Sequence, residues 1–277
     1  MKKFYKTRVK NETFNVIAIL ISLIFLFPIS SNSHEIKEDK IEKIIKSFLV
    51  NNPELIRSTL DDYKINLEKQ KFQNTIKILK KIENPGIFQK NANITIYEFF
   101  DYNCGYCKSV LKVIQETLSE DKNINFIFVE YPILSQESYT TAIAALASKK
   151  QGLYNEFHSS LMSLRGKINE KQIFNTAKNI GLNLEQLKIE MKNPEIKNQL
   201  LQNRQIAKSL GLNGTPAFII GNIIYPGAID KDKLKKMIKS FRESWFFSII
   251  KLSYNRQISL LSIILIGEQN WLKNYIS

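Results

Sequence analysis

Glu98-Phe99-Phe100-Asp101-Tyr102-Asn103-Cys104-Gly105-Tyr106-Cys107 is the stretch from which the rest of the chain is read. It holds both cysteines of the sequence, spaced Cys-x-x-Cys. The run Ile94 to Phe100 is β-branched and aromatic, which predicts a buried strand. Beyond the cysteines, Val110, Leu111, Val113, Ile114, Thr117 and Leu118 recur at helical spacing. The pair therefore falls where a strand ends and a helix begins. Free N–H groups and the positive dipole end of a helix stabilise an anion there. A thiolate in that place has a lowered pKa, and the thiolate is the reactive form. One cysteine can attack, and its neighbour one turn later can close or resolve a disulfide.

Two other uses of Cys-x-x-Cys are weaker. Tetrahedral zinc needs two more ligands. The sequence has no third cysteine, and its two histidines are His34 and His158. His158 lies in a helical run with Phe157 and Leu161 and reads as a packed residue. A purely structural disulfide would close a tiny loop and constrain almost nothing. Redox chemistry is the reading the strand-to-helix setting favours.

Downstream, Ile124 to Tyr131 reads as a second strand, stopped by Pro132. Strand, helix, strand predicts a parallel βαβ unit. From Ser138 to Leu210 the apolar pattern is helical throughout. Gly214-Thr215-Pro216-Ala217-Phe218-Ile219-Ile220-Gly221 follows. A proline here caps the first strand position, and a cis Thr215–Pro216 bond facing Cys104 fits. Asn222 to Gly227 predicts a short strand after a tight turn, and Asp230 caps a helix through Leu234, Met237, Ile238 and Phe241.

Upstream, residues 1–33 are laid out like a secretory signal peptide. A basic start (Lys2, Lys3, Lys6, Arg8, Lys10) leads to an apolar run from Val16 to Phe27, then Pro28 and small polar residues. The run is short for a spanning helix, and the cleavage site lacks alanine, so cleavage and retention as a membrane anchor both stay open. Either way the rest is exported, to a compartment where disulfides form and persist.

Residues 35–82 are helical and contain no glycine. Ile41, Ile44, Ile45, Phe48 and Leu49 make one amphipathic face. Asn52 and Pro53 start a second helix with Ile56, Leu60, Tyr63 and Leu67 in a stripe. Phe72, Ile76 and Leu79 continue it after a phase slip, and Asn84-Pro85-Gly86 closes the region. The stripe either packs back on its own domain or joins copies of the chain. The 277 residues carry a net charge of +14, spread as lysine. No basic run is interleaved with stacking aromatics, which argues against a nucleic-acid partner. The apolar tail 243–277 suggests no function.

The order of these pieces resembles the DsbA-like thioredoxin-fold disulfide oxidoreductases of the bacterial envelope. It is most similar to the subgroup that includes ScsC and related exported proteins with an N-terminal helical segment. Phe99 to Cys107 and Gly214 to Phe218 carry the resemblance. It implies an α/β thioredoxin fold with a helical insertion and an N-terminal helical extension. The expected parts are a signal or anchor (1–33), a helical arm (35–84), a thioredoxin-like domain (90–242) with its insert at about 138–195, and the tail (243–277).

The resemblance also implies roles. Cys104 is the exposed nucleophile and Cys107 the buried resolving thiol. Thr215 and Pro216 lie against the disulfide and present backbone to substrate. Glu98 matches a buried acid that moves the proton of the buried cysteine; desolvation would raise its pKa, as a shuttle needs. Tyr97, Phe100, Tyr102 and Tyr106 could offer apolar contact to unfolded substrates. No cofactor and no metal are implied. The partners implied are cysteine-containing envelope proteins, a membrane redox partner in the periplasm, and a second copy through 35–82. Gly105-Tyr106 departs from the strongest oxidants, which carry a histidine before the second cysteine. A tyrosine adds no cation, so the pair leans towards isomerase or reductase. A DsbA-type oxidase and a non-catalytic envelope binding protein stay open as alternatives, with metal transfer through the thiols behind them.

Overall fold

The computed structural model describes residues 38–245. The segment 1–33 and the tail from residue 246 lie outside them. The chain divides into two compact units that part between Ile65 and Asn66.

The first unit holds α1 (Glu38–Asn51) and the opening turns of α2 (Pro53–Leu79). Asn52 breaks the helix between them, and its side-chain amide donates to Phe48 O at 2.7 Å. The apolar residues read from the sequence are largely in water here: Ile41, Ile44, Ile45, Phe48, Leu49, Leu60 and Tyr63 are all exposed. Helix α2 runs through the phase slip unbroken. Across the slip the stripe passes from the exposed Leu67 to the half-buried Phe72 and Ile76. In the second unit, Leu79 is buried, and Phe72 and Ile76 pack with it against the sheet. These residues therefore belong to the core of the sheet domain.

That domain is built on a five-stranded sheet in the order β1-β3-β2-β4-β5. Its strands are β1 (Gly86–Ile87), β2 (Ile94–Phe100), β3 (Ile124–Glu130), β4 (Ala217–Ile220) and β5 (Ile223–Pro226). Strands β2 and β3 are parallel, joined by α3 (Gly105–Glu120), and the other pairings are antiparallel. β1 is an addition to the sequence reading. Asn84-Pro85-Gly86 reads as a terminating turn, yet Gly86 pairs with Ile127. A Cβ at Gly86 would lie 2.5 Å from Phe126 O, so only glycine lets this short edge strand approach.

Strand alternation sorts the side chains onto two faces. Ile94, Ile96 and Phe100 join one core with α3 and most of the helical block. Tyr97 and Phe99 face the other, with Leu79, Ile206 and Ala207. Glu98 has the parity of Ile96 and Phe100, which directs it to the face that carries the cysteine helix.

Between β3 and β4 the chain forms α4 (Gln136–Ser148), α5 (Tyr154–Met162), α6 (Glu170–Asn179), α7 (Leu184–Glu190) and α8 (Pro194–Ser209). Side-chain caps start four of them: Ser135 on α4, Asn169 with Gln172 in a reciprocal box on α6, Asn183 on α7 and Asn193 on α8. The helical block thus continues beyond residue 195 to the end of α8. Residues 231–245 form α9, the last helix among the described residues, whose start is capped by Asp230 accepting from Lys233 N. Arg242 on α9 forks onto Asp121 at the end of α3.

Candidate active site

Cys104 is the N-cap of α3 (φ −83°, ψ 114°), and its sulfur accepts from Cys107 N at 3.4 Å. The expectation of an exposed Cys104 is corrected: it is only 6 % exposed, because the Thr215–Pro216 segment lies against it, and Cys107, one turn inside the helix, is fully buried. Both cysteines are free thiols. Across from them, Cys104 Sγ lies 3.2 Å from Thr215 O, which accepts from the thiol while Cys104 is protonated. The Thr215–Pro216 bond is cis.

The surroundings split the two thiols. The Cys107 side chain hydrogen-bonds towards Cys104 and, with Thr215 and the backbone N–H groups of Cys107 and Tyr106, holds Cys104 down to about 6 against the opposing effect of burial. Burial pushes Cys107 far up, and Cys104 and Glu98 add to it. At neutral pH the site therefore holds one thiolate and one thiol. Glu98 is fully buried in the central strand β2, and burial, then the charge of Cys104, raises it to about 8. Its Oε1 has no hydrogen-bond partner among the described residues.

The loop ahead of Cys104 is fastened on every side. Asp101 accepts from Asn103 N (2.7 Å), Ile133 N (2.9 Å) and Leu134 N (3.0 Å). Asn103 Oδ1 accepts from Ile168 N at 2.7 Å, and its amide donates to Ser138 Oγ at 3.2 Å. Tyr102 is buried, and its hydroxyl donates to Glu130 Oε1 at 3.0 Å. Tyr154 donates to the same oxygen at 2.8 Å, and His158 Nδ1 lies 3.1 Å from the Tyr102 hydroxyl. Burial raises Glu130 well above the carboxylate range and lowers His158 to about 3.

These contacts correct one expectation. Tyr97, Phe100 and Tyr102 are buried and cannot touch a substrate. Of the four aromatics, Tyr106 alone is exposed, at 71 %. Tyr97 and Phe100 face opposite cores of the sheet, and Tyr102 anchors the loop. The fold brings Cys104, Cys107, Thr215, Pro216 and Glu98 into one neighbourhood. Asp101, Asn103 and Glu130 were missed. For Asp101 a signal existed, since an Asx side chain just ahead of a helix start commonly bonds backbone N–H groups.

One thiolate at a helix tip, a buried thiol behind it and a buried acid beneath can carry thiol–disulfide exchange. The fold and site define a thioredoxin-fold dithiol protein. The DSBA-like thioredoxin domain matches residues 95–239, more than half of the chain. A thioredoxin-like oxidoreductase from Silicibacter pomeroyi is 34% identical, with a TM-score of 0.58, over 60% of this chain and 96% of that one. The thiol-disulfide exchange protein alpha-DsbA2 from Wolbachia pipientis is 27% identical, with a TM-score of 0.60, over 65% and 98%. The catalytic domain of Proteus mirabilis ScsC is 26% identical, with a TM-score of 0.57, over 62% and 97%. The curated Na(+)/H(+) antiporter NhaA 1 of Salinispora arenicola is 22% identical over 153 residues, which are 54% of this chain. That match spans about a quarter (24%) of the antiporter's length. This chain belongs to the DsbA-like thioredoxin domain family.

Proposed function

We propose that this protein is an exported enzyme of thiol–disulfide exchange acting on cysteine-containing envelope proteins. The observation that carries the reading is the split pair: Cys104 held near 6 at a helix N-cap beside a Cys107 that stays protonated. The Cys104 thiolate attacks one sulfur of a substrate disulfide and forms a mixed disulfide, and the other substrate sulfur leaves as a thiolate. With the Cys104 charge consumed, Glu98 loses one of the causes that raise it and ionises more readily. Its carboxylate takes the Cys107 proton. Cys107 attacks Cys104 Sγ, closes the Cys104–Cys107 disulfide and releases the second substrate sulfur. The substrate gains two electrons and the pair loses two; the reverse sequence oxidises a substrate.

The role leans towards isomerase or reductase. Gly105-Tyr106 places no cation between the cysteines, and a thiolate held near 6 is less stabilised than those of the strongest oxidants. A reductase needs electrons, which a thiol partner at the membrane would supply. Thr215 and Pro216 face the thiolate and Tyr106 stands exposed beside it, the positions from which a substrate strand would be held. The arm adds the second element. The uncovered stripe Ile41, Ile45, Phe48, Leu60 and Tyr63 would join copies of the chain, so that one substrate meets several exchange centres at high effective concentration. The basic, apolar start directs export to the periplasm. Among the described residues no helix is long and apolar enough to cross a membrane.

The test is refolding of a scrambled disulfide substrate beside oxidation of a simple dithiol. Isomerisation at a rate above that of free glutathione supports the reading. Dithiol oxidation without isomerisation would place the protein with the oxidases, and neither activity would leave a binding protein on the same fold.

A further inference from the structure

A thiolate at a protein surface is commonly steadied by a nearby cation. Neither residue between the cysteines supplies one. One turn into α3, however, stands Lys108, whose backbone N–H donates to Cys104 O at 3.1 Å. Residues four apart on a helix lie on the same face, so Lys108 leaves the helix on the face of the nucleophile. It does not wander in solvent. Its ammonium donates to Leu164 O at 2.8 Å and to Gly166 O at 2.6 Å, in the loop between α5 and α6. The same loop is tied to the segment before Cys104 through Asn103 and Ile168 N. Two of the three ammonium hydrogens are thus committed, and the charge is held in place.

The neighbouring charges leave this role to Lys108. Burial lowers Lys108, and the charges of Asp101 and Cys104 partly offset that by favouring its charged form. Glu98 on β2 and Cys107 on α3 are the other titratable groups that act on Cys104, and both are protonated at neutral pH. The α5–α6 loop also carries Arg165 and Lys167, but both are exposed, and Lys167 acts on Glu137 at the start of α4.

We propose that Lys108 is a positioning residue of the exchange centre: a cation fixed by the Leu164 and Gly166 carbonyls that holds the Cys104 thiolate in place of a charged residue between the cysteines. The inference rests on the exchange reading above. It links the helical block to the chemistry, because the carbonyls that fix the charge belong to that block. Closing the Cys104–Cys107 disulfide removes the thiolate and leaves Asp101 as the counter-charge. The ammonium is therefore better compensated in the dithiol than in the disulfide.

The test compares Lys108→Met and Lys108→Arg in the full chain, by thiolate absorbance against pH and by equilibrium with glutathione. Losing the cation should raise the Cys104 pKa by about 0.5–1 unit, the size of a partly screened charge interaction. The equilibrium constant with glutathione should move up to about tenfold towards a less oxidising pair, which is about 30 mV. Lys108→Arg should stay within about 0.2 unit of the native value, well inside that shift. A Met variant with an unmoved Cys104 pKa would overturn the proposal, as would equal shifts in both variants, which would point to packing. A readout on the unmutated protein covers the case of a variant that does not fold. The Lys108 ¹³Cε resonance should inflect at the Cys104 midpoint in the dithiol form and not in the disulfide form. No inflection in the dithiol form overturns the proposal. A normal clamp with no exchange activity would instead sink the functional reading and leave the lysine's role standing.

Discussion

Cys104 Sγ lies 3.2 Å from Thr215 O, although 111 residues separate the two. The contact joins the tip of α3 to the segment that enters β4. On the proposed function, a substrate disulfide would approach over the helix tip, against the Thr215 backbone. Within the helix, Cys107 has no such opening.

The two cysteines should therefore behave differently towards alkylating reagents. Cys104 reacts first and with a midpoint near 6, because its thiolate is held there by its neighbours. Cys104→Ser should reduce exchange to background. Cys107→Ser should keep attacking and accumulate mixed disulfides, visible on non-reducing gels, since nothing resolves them. Faster alkylation of Cys107 would reverse the assignment.

Glu98 should set a pH dependence. In the fold it is raised to about 8, against 4.5 for an ordinary glutamate, so the folded dithiol keeps a proton the unfolded chain has lost. Stability from this group is complete below 4.5 and is lost as pH rises towards 8, at up to about 1.4 kcal/mol per pH unit. Glu98→Gln removes that slope. The stability of the variant relative to the native dithiol protein should grow between those two values in denaturant titrations. Resolution of the mixed disulfide should slow by about 100-fold, the low end of acid–base contributions. A variant with native resolution kinetics would remove Glu98 from the proton path.

Tyr102→Phe tests the anchor of the loop. It takes one of two phenol donors from the buried Glu130 and should cost about 1–3 kcal/mol of stability, while the aromatic packing stays. Thermal unfolding with and without the hydroxyl measures it. No loss would mean the Tyr102 hydroxyl contributes nothing to the network.

The arm is best cut at the boundary between the units. Removing residues up to 65 spares Phe72, Ile76 and Leu79, which the sheet core needs. The truncated protein should lose mass in solution and lose isomerisation, while oxidation of a simple dithiol survives. A full chain that is already monomeric would confine the arm to some other role.

Much of this was legible in the residues. The strand from Ile94 to Phe100 and the helix after the cysteines stand where β-branched density and helical spacing put them. The pair at a helix start followed from adjacency in sequence alone. The rest was not local. Glu130, Tyr102, Tyr154 and His158 meet only because β3, the pre-cysteine loop and α5 share one face of the sheet, and nothing in their spacing announces it. Tyr102 beside a reactive cysteine looked like a substrate contact; its hydroxyl turns inward because a buried carboxyl awaits it. β1 was hidden by Pro85-Gly86, a pair that usually ends structure and here makes room for an edge strand.

The most direct test is the equilibrium reduction potential of the Cys104–Cys107 pair in glutathione buffers. A thiolate held near 6, between those of thioredoxin and the strongest oxidants, predicts about −180 to −230 mV. A potential near −120 mV would make the protein an oxidase, and the absence of any reversible dithiol–disulfide couple would contradict the exchange reading itself.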